Sequence, residues 1–373
     1  MKAICSCSDV QNYDFFAEGK QDFYSQVTEK SILVQGKHRN PAPLITILLT
    51  TYKRPDLLKQ SLESALNQVD FDDYQIIIAD NEGENINIET ETSKLVAGYQ
   101  NEKIVYYRHE QSVGRIADSA VKLARSKWIC FLHDDDILAQ NHLSVMNAII
   151  EKHKKIKFLS TVQKDFEYSL CEDDIQTMCQ TKKVEYQIKR YPKSYSCMGY
   201  YIIWQGALID RKRYIEMGGM PTIKMGCGDY CMVQKFHYHY GVYELQSDTP
   251  LYYRRSWDGQ VTAEGTERWK KILINKYIYH TYINQLYHRF HKDLWNRYSA
   301  YCIIDDCLRL NKGFYKTNID IIDFVKECGI PDTVLSKDRQ YHKDMVYLNL
   351  YQKLIIKIWK PVKYKGCVGV EHE

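Results

Sequence analysis

Three consecutive carboxylates, Asp134-Asp135-Asp136, follow the apolar run Trp128-Ile129-Cys130-Phe131-Leu132 and one histidine, His133. A short run of large apolar side chains reads as a buried strand. Unpaired charge is costly inside a core, so the three carboxylates must sit where that strand emerges. Like charges side by side repel unless a cation joins them. Hard divalent ions such as Mg2+ or Mn2+ take oxygen ligands, usually one or two carboxylates plus substrate phosphates. The plainer alternative is a solvated acidic turn ahead of the next helix. A further carboxylate, Asp229, stands in Gly228-Asp229-Tyr230 at the start of a helical pattern. There it could act as a base or simply cap the helix.

Such groups need a rigid frame. Leu44–Leu49 reads as a buried strand ending at Thr50-Thr51-Tyr52, and Pro55 suits the first turn of a helix. Leu57, Leu58, Leu62, Ala65, Leu66 and Val69 recur at helical spacing. Tyr74–Ala79 is a second strand, closed by Asp80-Asn81-Glu82-Gly83. A helical stretch around 89–99, a strand at Ile104–Tyr107, a helix after Gly114 and the opening strand follow, and 137–152 reads as helix. This strict alternation predicts an α/β fold, a mostly parallel sheet sandwiched by helices. Thr50, Tyr52, Asp80 and Asp134 to Asp136 all fall at C-terminal ends of strands, where open α/β sheets bind ligands. No G-x-G-x-x-G follows the first strand and no G-K-[ST] occurs, so dinucleotide-binding and P-loop readings lose their support.

Beyond 150 the chain reads as a strand at 156–161, a polar lid-like excursion at 170–197, and a strand at 200–209. A helix at 211–217, a helix from Gly228 to about Tyr240, and strands at 242–245 and 250–255 complete this part. From 264 it turns helical, aromatic and Lys-rich. Residues 349–365 interleave Leu350, Leu354, Ile355, Ile356, Ile358 and Trp359 with Lys353, Lys357, Lys360, Lys363 and Lys365. Such a stretch either lies on an anionic membrane or docks its apolar face on the protein.

The 373 residues carry a net charge of only +4, too little to argue for a nucleic-acid partner. No leader-like apolar segment stands at the start and no run reaches the roughly 20 apolar residues of a spanning helix. The expectation is a cytoplasmic protein, soluble or at the inner face of the membrane. The 12 cysteines are then reduced thiols. Cys227, Cys231, His237 and His239 leave a zinc site as a minor alternative.

These residues resemble family 2 glycosyltransferases of the GT-A fold, over about 44–262 and most strongly over 44–145. The family opens with a strand into Thr-x-Tyr-Asn-Arg; here it is Thr50-Thr51-Tyr52-Lys53-Arg54, with Lys for Asn. Its second strand ends in Asp-Asp-Gly-Ser; here Asp80 remains. Gly114 and Ala117 match its third helix, with Asp118 at the Asn position. Its metal motif is Asp-x-Asp at the end of the fourth strand. Laid on this chain, the first Asp becomes His133 and the second Asp135; shifting the frame by one gives Asp134-x-Asp136. Gly228-Asp229-Tyr230 matches the place of the family's catalytic base. Tyr253-Arg254-Arg255-Ser256-Trp257 through Thr262 matches a later strand and loop. The processive relatives' Gln-x-x-Arg-Trp is absent, so single transfers are favoured.

The chain then reads as three parts: an extension at 1–42, the GT-A domain that the resemblance implies at 43–262, and a helical region at 263–373 that could associate with a membrane or partner. The domain splits into a nucleotide-sugar half at 43–150 and an acceptor half at 151–262. The implied reaction is inverting transfer from a nucleoside diphosphate sugar, UDP-linked first, to a glycan or lipid-linked acceptor in bacterial surface polysaccharide synthesis. Mn2+ or Mg2+ would be held by Asp135 and Asp136, with Asp135 preferred because it keeps the family's spacing. Thr50, Tyr52, Asp80, Asp118, Asp134 and Arg254 would bind the donor, and Asp229 would be the base. A sugar-phosphate nucleotidyltransferase, a non-catalytic sugar-binding protein and, last, a phosphohydrolase built on His133-Asp134 are the alternatives.

Overall fold

Ile45–Thr51 (β2), Tyr74–Asp80 (β3), Ile104–His109 (β4) and Trp128–His133 (β5) are strands buried along almost their whole length. In the computed structural model they pair in parallel, in the order β4-β3-β2-β5. The two-residue period of a strand deals their side chains onto two layers. Ile47, Ile76, Cys130 and Leu132 pack on one face with Leu58, Leu62 and Met146. Leu48, Ile77, Ile129 and Phe131 pack on the other with Ala120, Val121 and Phe236. Each such side chain, fully buried, contributes about 1.5–3 kcal/mol. The structure describes residues 24–25, 27–112, 116–167, 172–190, 202–220, 228–256, 265–287, 292–312, 317–330, 343–344, 346–347, 350 and 362–368.

The covering helices are Pro55–Leu66 (α1), Glu91–Ala97 (α2), Ile116–Leu123 (α3) and His142–Lys152 (α4). Proline opens α1, where its missing N–H and fixed φ do no harm, and Leu57, Leu58, Leu62 and Ala65 form its buried face. The helix expected at 137–152 is shorter. Ile137–Leu138 is a two-residue strand (β6), because Tyr252 and Tyr253 pair with it.

Ser31–Gln35 (β1), inside the expected extension, is an edge strand antiparallel to β4. The far side of the sheet adds Phe158–Ser160 (β7), Val184–Arg190 (β9), Leu208–Asp210 (β10), Tyr243–Gln246 (β11) and Val362–Val368 (β13). Among the described residues the sheet order is β1-β4-β3-β2-β5-β10-β7-β11-β9-β13. A smaller sheet joins β6, Tyr252–Ser256 (β12) and Gln163–Glu167 (β8).

The polar excursion expected at 170–197 is ordered in its described part. Glu172–Cys179 (α5) is a helix with Ile175 and Cys179 buried, and β9 alternates buried and exposed residues. Arg211–Glu216 (α6) and Gly228–Tyr240 (α7) follow. The C-terminal region is helical as expected, with Thr266–Tyr287 (α8), Lys292–Lys312 (α9) and Ile321–Glu327 (α10). It does not end as one amphipathic helix. Lys363 and Lys365 lie on β13, which pairs with β9 from Val362 opposite Arg190 to Val368 opposite Val184. Lys353, Lys357 and Lys360 lie outside the described residues, as do Gly114, Cys227 and 257–262. No helix among the described residues is long and apolar enough to cross a membrane.

Candidate active site

The acidic turn is clasped from two sides. From one side comes the loop between β2 and α1. Asp134 Oδ2 accepts from the Thr51 hydroxyl at 2.8 Å and from the Tyr52 amide at 3.4 Å. Arg54 Nη1 lies 3.3 Å from Asp134 Oδ1 and 3.4 Å from Asp135 Oδ2. Arg54 is the N-cap residue of α1 yet makes no side-chain cap bond. Between them Lys53 takes φ 55°, the left-handed region that Asn tolerates better than Lys.

From the other side comes β12. Tyr252 OH donates to Asp136 Oδ2 at 2.6 Å, and the Arg255 amide donates to Asp136 Oδ1 at 2.9 Å. Arg255 Nε donates to the Asp135 carbonyl at 2.9 Å, and its guanidinium lies 4.5 Å from the Phe166 ring centroid. Ser61, from α1, donates to the Asp136 carbonyl at 2.6 Å. Tyr252 can lie this close because Gly206, at φ 69°, has no Cβ; one there would sit 2.5 Å from its ring.

Burial pushes both the Asp134 and Asp136 carboxyls up to about 6. The neighbouring Asp135 adds to the rise, while Arg54 opposes it at Asp134 and His133 opposes it at Asp136. His133, Asp135 and Asp136 bring ligand atoms within 4.8 Å of one another, the grouping among the described residues that could hold a metal ion. One imidazole nitrogen and two carboxylates, partly starved of solvent, fit a divalent cation.

The candidate base stands beside this grouping. Asp229 is in the first turn of α7, and its Oδ2 accepts from the Trp204 indole N–H at 3.2 Å. Trp204 also meets the His133 ring edge-on, centroids 5.4 Å apart, and packs on Phe131 at 5.1 Å. Behind Asp229, Tyr230 OH and His280 Nε2 are 2.9 Å apart, which ties α8 to α7.

The other residues expected to bind the donor are engaged as follows. Thr50 is opposite His133 and Ala79 in the sheet, but it is the Thr51 hydroxyl that reaches Asp134, since neighbours on a strand face opposite ways. The same alternation turns Arg254 outward. Its Nε and Nη2 pair with Asp165 at 2.9 and 2.7 Å on an exposed surface, while Arg255 faces inward. Asp118 is engaged within the fold. It is buried, accepting from Tyr214 OH at 2.6 Å and the Met220 amide at 3.2 Å, and so braces α3 against the turn after α6. Asp80 ends β3 in register with Thr51, with its oxygens on Tyr106 OH at 2.6 Å and the Glu82 amide at 2.9 Å. Tyr52 is exposed, and Gln111 Nε2 donates to its hydroxyl at 3.0 Å. Sequence reasoning missed Thr51 and Trp204, and left Arg254 and Arg255 as alternatives for the diphosphate.

A family model, glycosyl transferase family 2, matches residues 46–208. An uncharacterised glycosyltransferase of Methanocaldococcus jannaschii is 31% identical over 122 residues, 31% of this chain and 40% of that protein. One from Rickettsia bellii is 27% identical over 114 residues, 30% of this chain and 16% of that protein. The alignments thus span less than half the length of these relatives. In fold, the chain is similar to S. aureus TarS 1–349 in complex with UDP-GlcNAc, with TM-score 0.55 and 15% identity over 78% of this chain and 82% of that one. TarS 1–349 without that ligand gives TM-score 0.52 at 16% identity over the same shares. The parallel strands and the acidic turn at their mouth fall almost wholly within the segment, residues 46–208, that matches glycosyl transferase family 2.

Proposed function

We propose that this protein is a divalent-cation-dependent, inverting glycosyltransferase that moves a sugar from a nucleoside diphosphate donor to a hydroxyl of a glycan or lipid-linked acceptor. The grouping of His133, Asp135 and Asp136 at the mouth of the sheet, with Asp229 held beside it by Trp204, carries the reading. His133, Asp135 and Asp136 would hold Mn2+ or Mg2+, and the nitrogen ligand favours Mn2+. Such a cation, when bound, supplies charge neutralisation for a departing diphosphate.

The remaining work falls to the chain. Asp134 fixes the loop that carries Tyr52, whose exposed ring offers a face for a pyrimidine. Asp80 stands at the same mouth as a candidate acceptor for a base N–H. Asp229 takes the proton of the acceptor hydroxyl as its oxygen bonds to the anomeric carbon and the bond from that carbon to the phosphate oxygen breaks. Base catalysis of this kind is worth roughly 10^2 to 10^4 in rate. Surface polysaccharide assembly is the setting the family resemblance implies, with peripheral membrane contact through the Lys-rich C-terminal region.

TarS was crystallised with UDP-GlcNAc, so UDP and UDP-GlcNAc are the first probes, beside GDP. Thermal-shift measurements with and without Mn2+ should show one nucleotide raising the midpoint only when the cation is present. Turnover of the matching donor should then release nucleoside diphosphate. No cation-dependent shift with any nucleotide, or release of pyrophosphate instead, would remove the proposal.

A further inference from the structure

Arg54 is the cation already seated in the acidic turn. A single guanidinium nitrogen is shared between Asp134 and Asp135, at 3.3 and 3.4 Å. Charge-assisted bonds of this type normally close to about 2.7–2.9 Å, so the guanidinium neutralises both carboxylates without gripping either. Its side chain keeps 25% of its exposure, against 8% for Asp134 and 11% for Asp135. Asp135 belongs at the same time to the grouping able to ligate a metal. Asp134 is anchored independently by Thr51 and the Tyr52 amide.

We propose that Arg54 is a built-in counter-ion that a divalent cation displaces from Asp135, and that the displaced guanidinium then binds the diphosphate of the donor. The inference rests on the glycosyltransferase reading and extends it to a residue with no role so far. Two positive charges cannot share Asp135 without repulsion, whereas Asp134 offers Arg54 a pivot that the metal grouping does not include. A planar fork of N–H donors suits paired phosphate oxygens. The cation and the nucleotide would therefore bind as a unit: the first frees the ligand of the second.

The test measures two affinities with opposite expected signs. Mn2+ binding without nucleotide is followed by electron paramagnetic resonance. Binding of UDP and GDP at saturating Mn2+ is followed by calorimetry. Arg54→Gln should bind Mn2+ roughly 3- to 10-fold more tightly, because a competing charge is gone, and bind the preferred nucleotide roughly 10- to 100-fold more weakly. Arg54→Lys keeps the charge but not the fork; its Mn2+ affinity should match the parent while nucleotide affinity falls. Should both affinities fall together in Arg54→Gln, or should Mn2+ affinity stay unchanged, the counter-ion role is wrong although the parent binds both ligands. If Arg54→Gln does not fold, equal nucleotide affinity in Arg54→Lys and parent overturns it instead. A parent protein that binds neither Mn2+ nor either nucleotide overturns the glycosyltransferase reading itself, and this inference with it.

Discussion

The indole N–H of Trp204 donates to Oδ2 of Asp229 at 3.2 Å, while the edge of the same ring meets His133. One rigid side chain thus touches both the candidate base and the candidate metal grouping. An indole can donate but not accept, so this bond holds the carboxylate without competing for the proton it would take.

Trp204→Phe keeps an aromatic ring against Phe131 and His133 but removes the N–H. Bonds to a charged group are worth about 1.5–3 kcal/mol, so turnover should fall roughly 10- to 100-fold with little change in donor KM. Asp229→Asn should retain nucleotide binding and lose transfer by at least roughly 10^2. Steady-state kinetics with varied donor and acceptor checks both; parental turnover in Asp229→Asn places the base elsewhere.

Asp135 and Asp136 are adjacent but differently employed, and their alanine variants should diverge. Asp136→Ala leaves the buried Tyr252 hydroxyl and Arg255 amide without their acceptor, at roughly 1–3 kcal/mol for each orphaned donor. Asp135→Ala should melt close to the parent and lose Mn2+ binding. Denaturant titration and metal binding on the two variants read this; equal melting midpoints would contradict it.

Lys53 stores strain at φ 55°. The left-handed region costs an ordinary residue about 1–2 kcal/mol, and Asn less. Lys53→Asn should therefore raise stability by roughly 0.5–1 kcal/mol, provided its contact with the Tyr52 ring is worth less than that. The unfolding midpoint decides, and a lowered one would show that the lysine contact outweighs the strain.

Burial holds His109 and His142 down at about 4 and His280 at about 3. Below about 6.5 the unfolded chain gains protons that these folded histidines refuse, so each removes stability as pH falls toward its folded value. Above about 6.5 they contribute nothing. Asp134 and Asp136 act oppositely: raised to about 6, they favour the fold as pH drops from there toward the ordinary carboxylate range. A single variant isolates one contribution. His280→Asn, which still offers Tyr230 a hydrogen-bond partner, should flatten the acid limb by up to roughly 1.4 kcal/mol per pH unit. Chemical denaturation across pH 4–7 in chelator measures it, and an unchanged slope would count against the buried neutral imidazole.

Much of the parallel half was legible in the chain itself. The runs at Ile45–Thr51, Tyr74–Asp80 and Trp128–His133, and the turn chemistry after them, are local signals, as is the helix opening at Gly228-Asp229. So was the convergence of strand ends on one mouth, because right-handed crossovers between parallel strands leave few other arrangements. What remained hidden were choices between neighbours: Thr51 over Thr50, Arg255 over Arg254, and the separate duties of Asp134, Asp135 and Asp136. Strands buried on both faces carry no alternation to reveal which side chain turns where. The deciding contacts come from far along the chain, Tyr252 and Arg255 reaching Asp136 across 116 and 119 residues, and only packing of the two sheets brings them together.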